Sequence, residues 1–138
     1  MGARHKSREA ALAILYQADL LKEENAGGLS AGYFATDEAE GADQKFAESL
    51  VYGVKRNLAE IDEKLGSALK NWEVGRLGYM ERAILRMGVF EILFDRTTPD
   101  AVAIDEAVKL AKSFCDADSP PLINATLDRI SKEKQQEP

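Results

Sequence analysis

The stretch from Leu77 to Phe94 constrains the fold of this chain more than any other segment. Its apolar residues recur at steps of three and four on more than one side: Leu77, Met80, Ile84, Leu85, Met87, Val89, Ile92 and Leu93. A helix on a protein surface has a single apolar stripe, so this pattern predicts a helix that other helices enclose. Its charged side chains should then lie at gaps in the packing or be paired; they are Glu81, Arg82, Arg86 and Glu91.

The chain before this stretch also has helical periodicity. We predict a first helix from Ser7 to about Glu23, with Ser7 as its N-cap. A short helix from Leu29 to Thr36 is expected within an acidic loop that several glycines interrupt. Residues 43–70 predict either one long helix or two nearly continuous helices, followed by a connector that Trp72 anchors.

After the central stretch, the pattern predicts a helix over Val102–Phe114 and a last helix from Ser119. Ser119 is suited to the N-cap and Pro120 to the first helical position. The polar tail at 132–138 should fray. Because no segment alternates with a period of two, the sequence predicts an all-α protein.

Size and composition limit the classes of function. At 138 residues the chain fits one domain, and no apolar run is long enough to span a membrane. The start of the chain has no apolar signal segment, and the single cysteine fits a reducing cytoplasm, so we expect a cytoplasmic protein. The only histidine is His5, and Cys115 has no neighbouring cation to activate it. Without a phosphate loop or a metal-binding motif, we expect no enzyme, no cofactor and no metal site.

Charge is distributed unevenly along the chain. The net charge is −6, but residues 1–8, here called the basic tip, carry +3, so the rest of the chain carries −9. Such a tip suits either local phosphate binding or a disordered, soluble end, and charge alone leaves both open. Arg8 in the first turn of the predicted helix opposes the helix dipole, which favours a role toward a ligand. Tyr16 is open between a core residue and a partner contact.

Motifs along nearly the whole chain resemble the NusB family of transcription antitermination factors. They are Arg8-Glu9-Ala10-Ala11 through Leu15-Tyr16-Gln17, Trp72, Arg76-Leu77, Arg82-Ala83-Ile84-Leu85-Arg86 with Glu91, Val102 to Phe114, Asn124 and Leu127-Asp128. The resemblance implies about seven helices in two small bundles packed together. The N-terminal bundle would cover about residues 7–71 and the C-terminal bundle about residues 77–133.

The resemblance also implies a function, which is binding of the boxA RNA of ribosomal operons together with the ribosomal protein NusE. Other Nus factors and RNA polymerase would complete the assembly. The implied RNA contacts are Arg4, His5, Lys6, Arg8, Asp118, Leu122 and Asn124, and the implied NusE contacts are Tyr16 and Glu81.

Two positions depart from the family pattern. Leu122 stands where the family often has an aromatic residue that stacks on a base, and His5 stands where an arginine is common. Two alternatives remain beside the antitermination function. One is an RNA-targeting module like the N-terminal domain of ribosomal RNA cytosine methyltransferases, and the other is a protein-interaction module without RNA. Whether the chain is a monomer or a homodimer is also left open.

Overall fold

Seven α-helices and two 3-10 turns make up the part of the chain that the structure, a computed structural model, describes: residues 2–70, 73–95 and 97–136. The helices are α1 (Ala3–Leu21), α2 (Ala26–Phe34), α3 (Gln44–Arg56), α4 (Leu58–Ala68), α5 (Tyr79–Leu93), α6 (Asp100–Phe114) and α7 (Ser119–Gln136). These helices confirm the all-α prediction. Within the same residues, no helix is long and apolar enough to cross a bilayer.

Helix α5 is the enclosed helix that the apolar pattern predicts. It packs against α1, α3, α4, α6 and α7. Its two arginines reach acids on neighbouring helices, since Arg82 Nε lies 2.7 Å from Asp19 and Arg86 Nη2 lies 2.8 Å from Asp62. The prediction that its charges are paired is therefore confirmed for these side chains.

The buried side chains form one connected cluster to which all seven helices contribute. Helices α1, α2 and α3 pack on one another, and α5, α6 and α7 do the same. Helix α4 precedes the central helix in the chain but packs more extensively on α5 and α7 than on α3. The division into bundles at 7–71 and 77–133 stays a prediction.

Helix α1 begins at Ala3, four residues before the predicted start, with Gly2 as its N-cap. Ser7 is therefore not a cap, and the prediction was wrong. The Ser7 hydroxyl bonds to a residue 36 positions away, Asp43, which the local sequence pattern does not reveal. This hydroxyl is buried, donates to the carbonyl of Ala3 and accepts a 2.7 Å hydrogen bond from the backbone N–H of Asp43. The basic tip is consequently helical from Ala3 onward, and the interpretation as a disordered end is wrong for these residues.

Residues 43–70 form two helices that break at Asn57. Gly53 does not cause the break, because it lies inside α3, where the absence of a side chain leaves space for the ring of Phe90. A Cβ at Gly53 would collide with the aromatic ring of Phe90 on α5. The side chain of Asn57 instead donates a 2.8 Å hydrogen bond to the carbonyl of Gly53 and ends α3 there.

Three smaller differences concern ends of helices and a connector. Helix α2 starts three residues before the predicted Leu29, because Asn25 accepts a hydrogen bond from the backbone N–H of Gly28. The predicted fraying was wrong over residues 132–136, which continue α7. The ammonium of Lys134 fixes that end through the carboxylate of Asp100, 2.8 Å away, and a carbonyl of α5. Trp72 lies outside the described residues.

Candidate functional site

Two neighbouring helices, α3 and α6, contact the first turns of the basic tip. The guanidinium carbon of Arg4 lies 4.0 Å from the centre of the Phe46 ring at the start of α3. The ring of His5 contacts α6, with Nδ1 3.1 Å from Glu106 Oε1. His5 and Lys6 both approach Glu9, at 3.6 and 3.9 Å. Arg4 and Lys6 are exposed, so the tip presents two solvent-facing cations on a fixed helical turn.

Arg8 is not part of this exposed set. Its residue is 4% exposed, and its guanidinium forms a bidentate pair with Glu91 on α5, with Nη2 2.7 Å from Oε1 and Nε 3.2 Å from Oε2. The expectation that Arg8 meets an RNA phosphate is corrected on this geometry, because its donors point into the interior. Because α1 begins at Ala3, Arg8 lies beyond its first turn, so the predicted conflict with the helix dipole does not arise.

Two opposing effects act on the Glu91 carboxyl. Burial raises its pKa above the ordinary value, since the charged form loses water, and the hydrogen bonds and positive charge of Arg8 oppose that rise. The negative charges of Asp95 and Glu106 also raise the pKa. Glu106 additionally lies 3.7 Å from Arg8 Nη1. Arg8, Glu91 and Glu106 therefore form one charged cluster on the interior side of the tip.

Of the predicted partner contacts, Tyr16 lies toward the other end of α1 and Glu81 lies in the first turn of α5. Tyr16 meets the ring of Tyr79 edge to face at 6.5 Å between centroids. Arg82 covers the Tyr79 ring at 4.8 Å, while Glu81 accepts hydrogen bonds from the Gly78 N–H and the Ser119 hydroxyl. We call the surface around Tyr16, Tyr79 and Glu81 the tyrosine face, although Tyr79 and Glu81 are two residues apart and point to different sides of α5. Helix α5 begins here, so its first turn positions two of the three side chains.

Sequence reasoning missed Tyr79 as a member of this face. It is 36% exposed and provides the partner ring for Tyr16. Leu20, 44% exposed and one turn beyond Tyr16 on the same side of α1, extends the apolar surface. The available signal was a tyrosine in the first turn of an otherwise apolar helix, where a polar hydroxyl and an apolar ring suit an interface.

The three predicted RNA contacts near α7 face different ways. Asp118 is exposed in the turn before α7, and the neighbouring Ser119 bonds to Glu81, so Asp118 lies beside the tyrosine face. Leu122 is half-buried in a cavity of about 230 Å³ that it shares with the end of α4 at Ala68–Lys70. Asn124 lines a different cavity, between α6 and α7, beside Asp105.

The structure separates the two ends of the predicted site. The basic tip contacts α5 near Glu91, whereas the tyrosine face and Asp118 lie near Glu81. Ten residues of helix separate these positions, which is about 15 Å along the axis. The basic tip and Asp118 thus do not form a single cluster, and a strand that reached both would have to cross this distance.

Other site chemistry is limited in the described residues. No group of three or more His, Cys, Asp or Glu side chains there has an arrangement that would hold a metal ion. Burial raises the pKa of the Cys115 thiol, and the charge of Glu81 adds to this effect, so the thiolate is disfavoured. The geometry instead suits binding, through a cationic turn at one end of α1 and an aromatic and acidic face at the other.

Comparisons with known proteins agree over almost the whole chain. Residues 5–132 match the model of the NusB family. The chain is similar to the transcription antitermination protein NusB of Geobacter sulfurreducens, with 40% identity over 95% of this chain and 95% of that protein. It is also similar to the protein of the same name from an Exiguobacterium species, with 43% identity over 94% of this chain and 98% of that protein.

Two solved structures have the same fold. The NusB structure from T. maritima has a TM-score of 0.84 and 32% identity, covering 94% of this chain and 91% of that one. A crystal structure of the antitermination factors NusB and NusE in complex with double-stranded RNA matches with a TM-score of 0.81 and 29% identity. That match covers 95% of this chain and 97% of the other.

Proposed function

The chain belongs to the NusB family of transcription antitermination proteins, and from this premise we propose that it binds the boxA RNA of ribosomal operons together with the ribosomal protein NusE. The observation that carries the proposal is the separation of two different surfaces along one helix pair. Exposed cations lie at the start of α1, and the tyrosine face lies at its far end. The related NusB structure solved with both NusE and RNA supports a protein that meets both partners.

The RNA is proposed to lie over the basic tip. Arg4 and Lys6 would contact backbone phosphates, and His5 beside them would contribute a further polar contact. A strand that continues from the tip toward α7 would be needed for RNA to contact Asp118, Leu122 and Asn124. Arg8 supports the tip from the interior. Two phosphate contacts predict a salt slope of about −1.4 for a single strand. Such a small electrostatic contribution means weak binding, so a second partner should strengthen it.

NusE is proposed to bind the tyrosine face. Tyr16 and Tyr79 offer two rings of which parts remain exposed, and Glu81 provides a carboxylate fixed by two hydrogen bonds. Aromatic side chains that keep a polar atom at the surface are frequent in interfaces. The charge of −9 outside the basic tip also favours association with a basic ribosomal protein. The complex would then join other Nus factors and RNA polymerase in the cytoplasm.

A titration with labelled boxA RNA tests the proposal. Fluorescence anisotropy should show weak binding by the chain alone, and tighter binding when NusE is present. A scrambled RNA of the same composition is the control for sequence preference. Equal affinity for boxA and scrambled RNA with NusE present would reject the proposed function.

The methyltransferase-related alternative is not favoured by any observation. The matched relatives are antitermination proteins, and the alignments cover 95% and 98% of their own lengths. The likeness therefore extends over whole antitermination factors rather than over one domain of a larger enzyme.

A further inference from the structure

We propose that the guanidinium of Arg4, supported by the ring of Phe46, is a stacking platform for one unpaired RNA base. The inference rests on the proposed RNA-binding function and deepens it by assigning a role to one side chain. In this role Arg4 acts through its planar face as well as through its charge. Arginine planes and aromatic rings are the surfaces on which proteins stack unpaired bases.

The geometry of Arg4 carries this inference. Its guanidinium carbon lies 4.0 Å from the centre of the Phe46 ring, well within the range of a cation–π contact. Phe46 is 9% exposed and belongs to the core, so the ring is a fixed support, whereas Arg4 is exposed. The guanidinium of Arg8 lies 5.2 Å from the same ring centre and is itself paired with Glu91. Of the two arginines near this ring, Arg4 is therefore the one that solvent and RNA can reach.

Two hydrogen bonds of Asp43 connect the start of α1, which carries Arg4, with the start of α3, which carries Phe46. Asp43 donates its backbone N–H to the Ser7 hydroxyl on α1, one turn from Arg4. The carboxylate of the same Asp43 accepts the backbone N–H of Phe46 at 3.2 Å and caps α3. The backbone segments that carry Arg4 and Phe46 are therefore joined locally, which reduces the ordering that a base must impose.

Arg4 differs from the other cations of the tip in its partners. His5 and Lys6 approach Glu9, and Arg8 is paired with Glu91. Among the residues that the structure describes, Arg4 has no carboxylate within ion-pair distance, and its recorded contact is the Phe46 ring. Its N–H groups are consequently available for a phosphate or a base edge while the guanidinium stays over the ring, a combination that lysine lacks.

The test compares Arg4→Lys with Lys6→Ala, which serves as the matched control. Binding of single-stranded boxA RNA is measured by fluorescence anisotropy with NusE present and at several salt concentrations. Arg4→Lys keeps the charge, so we expect affinity to fall about fivefold or more through lost stacking with an unchanged salt slope. Lys6→Ala should instead reduce the magnitude of the salt slope by about 0.7.

A set of boxA RNAs, each with one abasic nucleotide, then locates the stacked base. With the unmodified protein, one abasic position should weaken binding more than its neighbours do. That extra loss should disappear with Arg4→Lys and with Phe46→Leu, which removes the ring while keeping an apolar side chain. Lys6→Ala should retain it, because Lys6 does not touch the Phe46 ring in this structure.

Two results overturn the stacking inference while leaving the proposed function intact. One is an Arg4→Lys protein that binds every RNA of the set as tightly as the unmodified protein. The other is equal affinity for duplex and single-stranded boxA RNA, since bases inside a duplex cannot reach the platform. If the unmodified protein does not distinguish boxA from scrambled RNA, the proposed function itself fails, and the inference fails with it.

Discussion

At the scale of single residues, a buried charge pair beneath the basic tip couples the start of α1 to the end of α5. Arg8 and Glu91 are 4% and 2% exposed, and two guanidinium nitrogens share the Glu91 carboxylate. A buried pair contributes little net stability when intact, but removal of one partner leaves a charge without water or counter-charge. The pair therefore makes the position of α1 dependent on two residues that lie 83 positions apart.

Arg8→Met should destabilise the protein strongly at neutral pH. The carboxylate of Glu91 would stay buried without its counter-charge, at a cost of about 3–5 kcal/mol. The measurement is the free energy of unfolding in urea. Arg4→Ala is the control, because Arg4 is exposed and its loss should leave stability nearly unchanged. An Arg8→Met protein as stable as the unmodified one would contradict the structural role and return Arg8 to the candidates for RNA contact.

The stability of the same variant should change with pH in a definite direction. Without Arg8, burial and the neighbouring acids raise the pKa of Glu91 further, so the folded state takes up its proton at a higher pH than the unfolded chain. Stability should then increase as pH falls through the raised value toward the ordinary 4.5. Urea unfolding of Arg8→Met against the Arg8→Met, Glu91→Gln double variant isolates the effect. Parallel pH profiles of the two proteins would contradict it.

The sequence could not reveal this role of Arg8. Its charge was readable, but the predicted helix start at Ser7 wrongly placed Arg8 in the first turn, where the dipole argument favoured a ligand. The acid that compensates it lies on a different helix, and nothing in the local pattern identifies that partner. For Arg4 and Lys6, by contrast, a charged tip free of acids predicted the exposure that the structure has.

At the scale of elements, close approach of helices at glycine determines how α5 fits among its neighbours. A Cβ at Gly88 would lie 2.6 Å from Leu127 Cδ1 on α7, and Leu127 is fully buried. Periodicity predicted α5 and α7 as helices but gave no sign of this contact. The position of the break at Asn57 was equally unreadable, because the apolar stripe continues through it.

Gly88→Ala should therefore destabilise the protein by about 1–3 kcal/mol through overpacking. Its matched control is Gly66→Ala on α4, where a Cβ meets nothing within 4 Å. That control should leave stability unchanged or raise it by up to about 1 kcal/mol, because alanine is the better helix former. Melting temperatures of the two variants measure the contrast. A stabilised Gly88→Ala protein would show that α5 and α7 are less closely packed than described.

At the scale of the whole molecule, α1 and α5 connect two surfaces of different chemistry. The sequence predicted the division of charge between tip and body, and the family resemblance supplied the residues of each surface. It could not supply the distance between them, since that depends on how α1 packs along α5. The tip meets α5 near Glu91 and the tyrosine face lies near Glu81, so the two proposed partners would occupy opposite ends.

Calorimetric titration of NusE, without RNA, into two variants tests this separation most directly. The double variant Arg4→Ala, Lys6→Ala should bind NusE with the Kd of the unmodified protein, because the tip lies about 15 Å from the tyrosine face along α5. Tyr16→Ala should weaken NusE binding about tenfold or more, as expected for a central aromatic of an interface. If the tip variant loses as much NusE affinity as Tyr16→Ala, the two surfaces are not separate and the account is contradicted.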